Sequence, residues 1–209
     1  MRPQFSSPNL SSYPNFNAAC QPHPTGFAPN PFGGFLTLAC CKPRIRRVAR
    51  KGDYIMGTGS KRTIGTTKLI YAAEISDVIS MEDYGRLPKY NIKRPATNGK
   101  WWQVMGDNIY EKNSSKWIQR ENPDHDGTHI EYDLTGNNVL ICKRFWYFGD
   151  HPEELPSRFH QLIKIGPGHK RFEETPLIKQ FVDWLSKMQR GIRSSDHLRF
   201  EKPETCSER

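Results

Sequence analysis

Apolar positions along the chain form several short runs and one long helical stripe. In "GGFLTLACC" (Gly33–Cys41) apolar and β-branched residues run together, which predicts a buried strand. The period then changes. In "KPRIRRVARKGD", Ile45, Val48 and Ala49 share one face at helical spacing, Pro43 suits the first helical position, and Gly52 suits a C-terminal cap. A strand is expected in "DYIMGTG". A longer one is expected over Thr67–Asp77, with Leu69, Tyr71 and Ala73 on one side. Ser80 followed by Asp83 resembles a capping box and predicts a short helix ended by Gly85 and Pro88. "NGKWWQVMGDNIYEK" offers a turn and short strands. The stretch from Ser115 to Asn138 offers another strand and a long polar loop. Asn137–Gly149 reads as a strand. Finally Thr175 caps a helix that starts at Pro176, and Leu177, Phe181, Trp184, Leu185 and Met188 form its apolar stripe.

After the first strand–helix–strand unit, regular alternation is lost. This order favours an α+β fold, a small curled mixed sheet or barrel with flanking helices and a C-terminal helix, over a doubly wound sheet. Residues 1–25 and 193–209 are polar and aperiodic and are expected to be disordered, leaving one domain over residues 26–192. No apolar run reaches eighteen residues, so no membrane partner is expected. The N-terminus has no signal-like apolar core. Five cysteines without a CxxC pair suggest reduced thiols, with Cys40 and Cys41 as packing residues, and an intracellular setting: cytoplasmic, or nuclear in a eukaryote.

Charge adds a direction. The net charge is +9, and between Lys42 and Arg62 eight Lys and Arg stand against Asp53 alone, an excess of +7 in twenty-one residues. Such a local field attracts polyanions, although a solvated helix face would look the same in sequence. The glycines nearby invite a phosphate-loop reading, which spacing excludes. Gly52 and Gly57 have the right gap, but Thr58 and Gly59 follow where Gly-Lys would be needed, and Lys61 comes too late. A dinucleotide fingerprint starting at Gly57 would need glycine at the position of Arg62. The glycines therefore serve a sharp turn or a close approach. No motif calls for a cofactor. "DHDGTH" (Asp124–His129) could clip a metal, but its residues are turn formers and no metal site is expected. Trp101, Trp102, Trp117, Trp146, Tyr147 and Phe148 could stack on bases beside the cationic flank, or fill the core.

Five ordered pieces, "APNPFGG", "ACCKPRIR", "GD" with "GTGS", "GDNIY" and "FWYFG", spread over Gly26–Gly149, resemble the second family of nucleotide-modification-associated domains. The helix–"KGD"–strand segment is also similar to PUA, ASCH and EVE modules, which hold a base in a PUA-like β-barrel, but it departs from them in a long insertion between Thr67 and Trp101. The family resemblance implies a connection with nucleic acid, nucleotides or a modified base. It also implies a ligand pocket from Asn30, Pro31, Phe32, Gly33, Lys42, Gly57, Thr58, Gly59, Ser60, Asp107, Asn108, Tyr110 and Tyr147, with Trp117 as a further stacking ring. Lys42, Arg44, Arg46, Arg47, Lys61 and Arg62 would neutralise phosphates. Asp107 or Asn108 would read a base edge. No nucleophile and base stand at a diagnostic spacing, so a binding module ranks above an enzyme on nucleotides or modified bases, which would draw on Asp107, His125, His129 or Lys42. A non-catalytic protein-interaction domain is the third reading.

Overall fold

The computed structural model describes residues 16–20, 28–62, 64–165, 168–173 and 175–193. The strands are β1 (Phe16–Cys20), β2 (Leu36–Leu38), β3 (Tyr54–Thr58), β4 (Lys68–Glu74), β5 (Asp77–Ser80), β6 (Tyr110–Asn113), β7 (Lys116–Gln119), β8 (Asn138–Cys142), β9 (Arg144–Tyr147), β10 (Glu153–Glu154), β11 (His169–Phe172) and β12 (Gly191–Ile192). The helices are α1 (Pro43–Val48), α2 (Met81–Arg86), α3 (Trp101–Val104), α4 (Ile130–Leu134) and α5 (Pro176–Ser186), with 3-10 turns at Pro88–Lys93, Gly127–His129 and Ser157–Leu162.

The fold is α+β. A mixed sheet runs β11–β1–β3–β4–β9–β12, with β10 added to β4. A second sheet runs β2–β8–β5, and β6 pairs with β7. The sheets are open and no barrel closes among the described residues, so of the two expected architectures the curled mixed sheet is the one formed. β1 lies parallel to β3 and antiparallel to β11. Its residues belong to the stretch whose composition suggested disorder. A neighbouring strand supplies the backbone hydrogen bonds that composition cannot reveal. The rest of residues 1–27, and everything after Arg193, lies outside the described residues.

Two cores cover the two faces of the large sheet. One joins Ile55, Tyr71, Ala73, Phe145 and Tyr147 to Ile45 and Ala49 beside α1, to Tyr84 of α2 and to the second sheet. The other joins Met56, Leu69, Ala72, Trp146 and Phe148 to Ile178, Phe181 and Leu185 of α5. Thr175 caps α5 as expected, accepting from the Ile178 amide. Ser80 caps α2 by accepting from the Asp83 amide.

Several elements differ in detail from the periodicity. Thr67–Asp77 is two strands in different sheets, and Asn137–Gly149 likewise splits at Lys143. Leu69 does not share a face with Tyr71 and Ala73. Gly57 pairs with Tyr71 while Thr58 pairs with Leu69, so Ile70 is an extra residue, a β-bulge that flips the alternation. Leu69 therefore packs with α5, and Ile70 and Tyr71 both face the first core. Trp101 and Trp102 lie on α3 rather than on a strand, and the polar loop before β8 contains α4. Gly52, with φ +90°, turns the chain between α1 and β3 rather than capping the helix. Gly85 sits inside α2, where a Cβ would meet the Tyr110 carbonyl at 2.5 Å.

Gly57 is required by the same bulge. A Cβ there would lie 2.1 Å from Cε1 of the buried Tyr71 ring. Gly57→Ala is expected to destabilise the fold by about 1–3 kcal/mol through overpacking. Urea unfolding should show a lower midpoint at unchanged slope.

Candidate functional site

Residues that the motifs grouped into one pocket separate into two enclosed polar networks, one backbone turn and a set of exposed cations. The first network centres on Asp107, which is 1% exposed. Its carboxylate accepts from Thr37 Oγ1 and Tyr84 OH, both at 2.7 Å. Lys93 Nζ donates to the Asn30 carbonyl and to Asn30 Oδ1, each at 3.0 Å, and to the Phe35 carbonyl at 2.7 Å. Asn30 Nδ2 donates to the Met105 carbonyl, and Asn108 Nδ2 donates to the carbonyls of Tyr84 and Tyr90. Burial pushes the Asp107 carboxyl up, opposed by the Lys93 charge and by the Tyr84 and Thr37 hydroxyls. Burial pushes the Lys93 ammonium down to about 8, opposed by the Asp107 charge. The structure brings Asn30, Asp107 and Asn108 together in a clasp between the loop before β2, α2 and the turn before β6. A base edge would have to enter the core to reach them.

The second network centres on Asp133 of α4. Tyr110 OH donates to Oδ2 at 3.0 Å, and His125 Nε2 lies 2.8 Å from the same oxygen. Arg46 supplies the counter-charge: NH2 reaches Asp133 Oδ1 at 3.4 Å and the Asp133 carbonyl at 2.6 Å. NH1 donates to the Asn138 carbonyl and Nε to the Cys41 carbonyl, both at 2.9 Å. Arg46 is fully buried, its guanidinium lying against Gly136, where a Cβ would come within 2.8 Å. Arg46, expected to bind phosphate, is therefore a core residue. Its planar fork of donors suits three carbonyls and a carboxylate at once. Burial is also the main cause holding the Tyr110 phenol up.

The Gly57–Ser60 turn is built by other partners. Gly59 N donates to the Lys68 carbonyl and Gly65 N to the Ser60 carbonyl. Thr58 is buried, and a Cβ on Gly59 would meet the Gly65 carbonyl at 2.4 Å. Gly57, Tyr71 and Tyr147 stand in one row across β3, β4 and β9. Tyr147 is buried in the first core, and Trp146 and Phe148 are buried in the second, so their rings fill the interior. Pro31 is buried. Phe32 and Gly33 are half-buried, Phe32 packing edge-on to Trp101 at 5.1 Å and tilted to Trp102 at 6.3 Å. Trp117 is half-buried, with Lys112 Nζ 5.9 Å from its ring centre.

"DHDGTH" works as a folding device. Asp126 caps the 3-10 turn by accepting from the Thr128 amide, and His125 is taken by Asp133. Among the described residues no group of three or more His, Cys, Asp or Glu is arranged to hold a metal ion. No helix among them is long and apolar enough to cross a membrane. Lys42 is half-buried and enters α1 with φ 45°, after Cys41 at φ 55°. These two left-handed residues lie where the Arg46 Nε bond holds the Cys41 carbonyl. Arg44, Arg47, Arg50, Lys51, Lys61 and Arg62 are exposed. Sequence reasoning missed Asp133, Lys93, Thr37 and Tyr84. A buried lysine and a surface lysine read alike in a sequence, and "HIEYDL" gives no sign that its aspartate is the inward one.

The chain is thus an α+β domain with two polar networks enclosed in its core and Arg44, Arg47, Arg50, Lys51, Lys61 and Arg62 on its surface. The chain belongs to the family described as nucleotide modification associated domain 2, whose model matches residues 22–204. No curated protein and no solved structure matches it significantly.

Arg46→Ala should cost about 3–5 kcal/mol, because it leaves the Asp133 carboxylate buried without its cation. Arg47→Ala on the exposed side of the same helix should stay within about 0.5 kcal/mol. Paired urea titrations check the contrast, and equal effects would contradict it.

Proposed function

We propose that this domain is a binding module that holds nucleic acid or a nucleotide, with a base that can itself be modified, in the service of nucleotide modification. One observation carries the reading. α1 turns its single inward arginine into a neutralised core site while Arg44 and Arg47 face solvent, followed by Arg50 and Lys51, with Lys61 and Arg62 exposed after β3. Cations left in water at one segment gain little for the fold. They are suited to phosphates, whose condensed counterions are released on contact. Family membership supplies the nucleotide connection. The half-exposed rings of Phe32, Trp101 and Trp102 are the accessible candidates for base stacking.

Acid–base chemistry is the weaker reading on geometry. Both Asp107 oxygens are engaged inside the core, and His125 is held by Asp133.

Anisotropy titrations with labelled DNA, carrying ordinary or modified bases, test the proposal. Neutralising about four phosphates predicts a loss of about 100-fold in affinity between 50 and 200 mM salt. Arg44→Glu with Arg47→Glu should weaken binding at least tenfold while the melting temperature holds. Absence of binding at low salt, or affinity indifferent to both salt and charge reversal, would remove the proposal.

A further inference from the structure

We propose that His169 and Arg171 of β11, Lys164 before it and Arg44 of α1 form a site for a backbone phosphate of nucleic acid, at the edge of the large sheet beside the Gly57–Ser60 turn. The inference rests on the nucleic-acid reading above and adds to it three residues that no sequence motif marked.

Register locates the site. His169 pairs with Ala19, and Ala19 with Gly57, so His169 stands two strands from Gly57 in the same row. At ordinary strand spacing that is roughly 10 Å. Alternation then sorts the side chains. Lys170 lies 4.5 Å from the Phe172 ring centre, and Phe172 packs on the core beside α5. His169 and Arg171 consequently point to the opposite face, where Arg171 is in register through Asn17 with Ile55. Ile55 belongs to the core that contains Ile45 of α1. Helix and edge strand therefore share a face. Lys61 and Arg62 follow β3 at the Thr58 end of the sheet, the end at which His169 stands.

Electrostatics agree with that placement. Burial is the first cause lowering the His169 imidazolium, and the positive charges of Arg44, Arg171 and Lys164 follow in that order. Arg44 and Arg171 are exposed, and neither has a carboxylate within ion-pair range among the described residues. The like charges of Arg44 and Arg171 beside a histidine repel each other. A phosphate between them reverses the sign of the field on His169 and draws a proton onto the ring. A membrane or an acidic protein would also meet cations here. Nucleic acid is favoured because the family ties the domain to nucleotides, and because the site continues the exposed cationic segment from Arg44 to Arg62.

Calorimetry of the full chain with oligothymidylate, whose bases do not titrate near neutrality, reads the proton directly when run in two buffers of different ionisation heat. Fractional proton uptake is expected at about pH 6, with affinity rising about three- to tenfold from pH 7.5 to pH 5.5. His169→Gln should abolish the uptake and flatten the pH profile of affinity. Arg171→Glu should weaken binding at least fivefold with an unchanged melting temperature. Persistence of uptake in His169→Gln, or full affinity in Arg171→Glu while Arg44→Glu with Arg47→Glu still weakens binding, overturns this site and leaves the nucleic-acid reading standing. Absence of oligonucleotide binding at low salt overturns both, as does preference for phosphatidylserine vesicles over DNA at equal charge.

Discussion

The buried ion pair between Arg46 and Asp133 decides where α1 lies and hence what the protein shows to solvent. Six residues of helix have little stability of their own. Here one guanidinium ties α1 to the end of α4, to the start of β8 and to the left-handed pair Cys41–Lys42. Gly136 leaves space for it. With Arg46 turned inward, helical geometry turns Arg44 and Arg47 outward. A fold-making contact thus also orients the cationic surface.

The clasp around Asp107 and Lys93 plays a matching role, meeting the Arg46 network through the adjacent residues Cys40 and Cys41. It fastens the loop carrying Asn30 to Phe35 against α2 and the turn before β6, using donors and acceptors that are nearly all matched. Desolvation pushes Asp107 and Lys93 in opposite directions, and each charge restrains the shift of the other. A polar cluster enclosed in this way gives the core a unique arrangement.

Much of the architecture was legible in the sequence. Thr175, Pro176 and the apolar stripe of α5, the Ser80 cap of α2, Pro43 at the start of α1 and the strand of Leu36–Leu38 follow from local chemistry. The bulge at Ile70 was not legible, because it depends on which strand lies next to β4. β1 was hidden for the same reason, its hydrogen bonds coming from distant β3 and β11. At the site, the polar character of Asn30, Asp107 and Asn108 was visible, but their enclosure in the core was not. Composition cannot tell inward from outward, so Arg46 looked like its neighbours and Lys93 like a surface lysine. The charge from Lys42 to Arg62 was evident, but the placement of His169 and Arg171 on one face of β11 emerges only from strand register.

On the proposed function, phosphate meets the exposed cations while the polar clasps stay shut. Nuclear magnetic resonance of the ¹⁵N-labelled chain, titrated with a short oligonucleotide, tests this most directly by following backbone amides and arginine Nε–H groups. Shifts should concentrate at residues 42–51, 58–62 and 164–171, with the Arg44 and Arg171 side chains moving and Arg46 still. Leading shifts at residues 107–110, with Arg46 Nε–H among them, would mean that the ligand opens the core, and the account would be wrong.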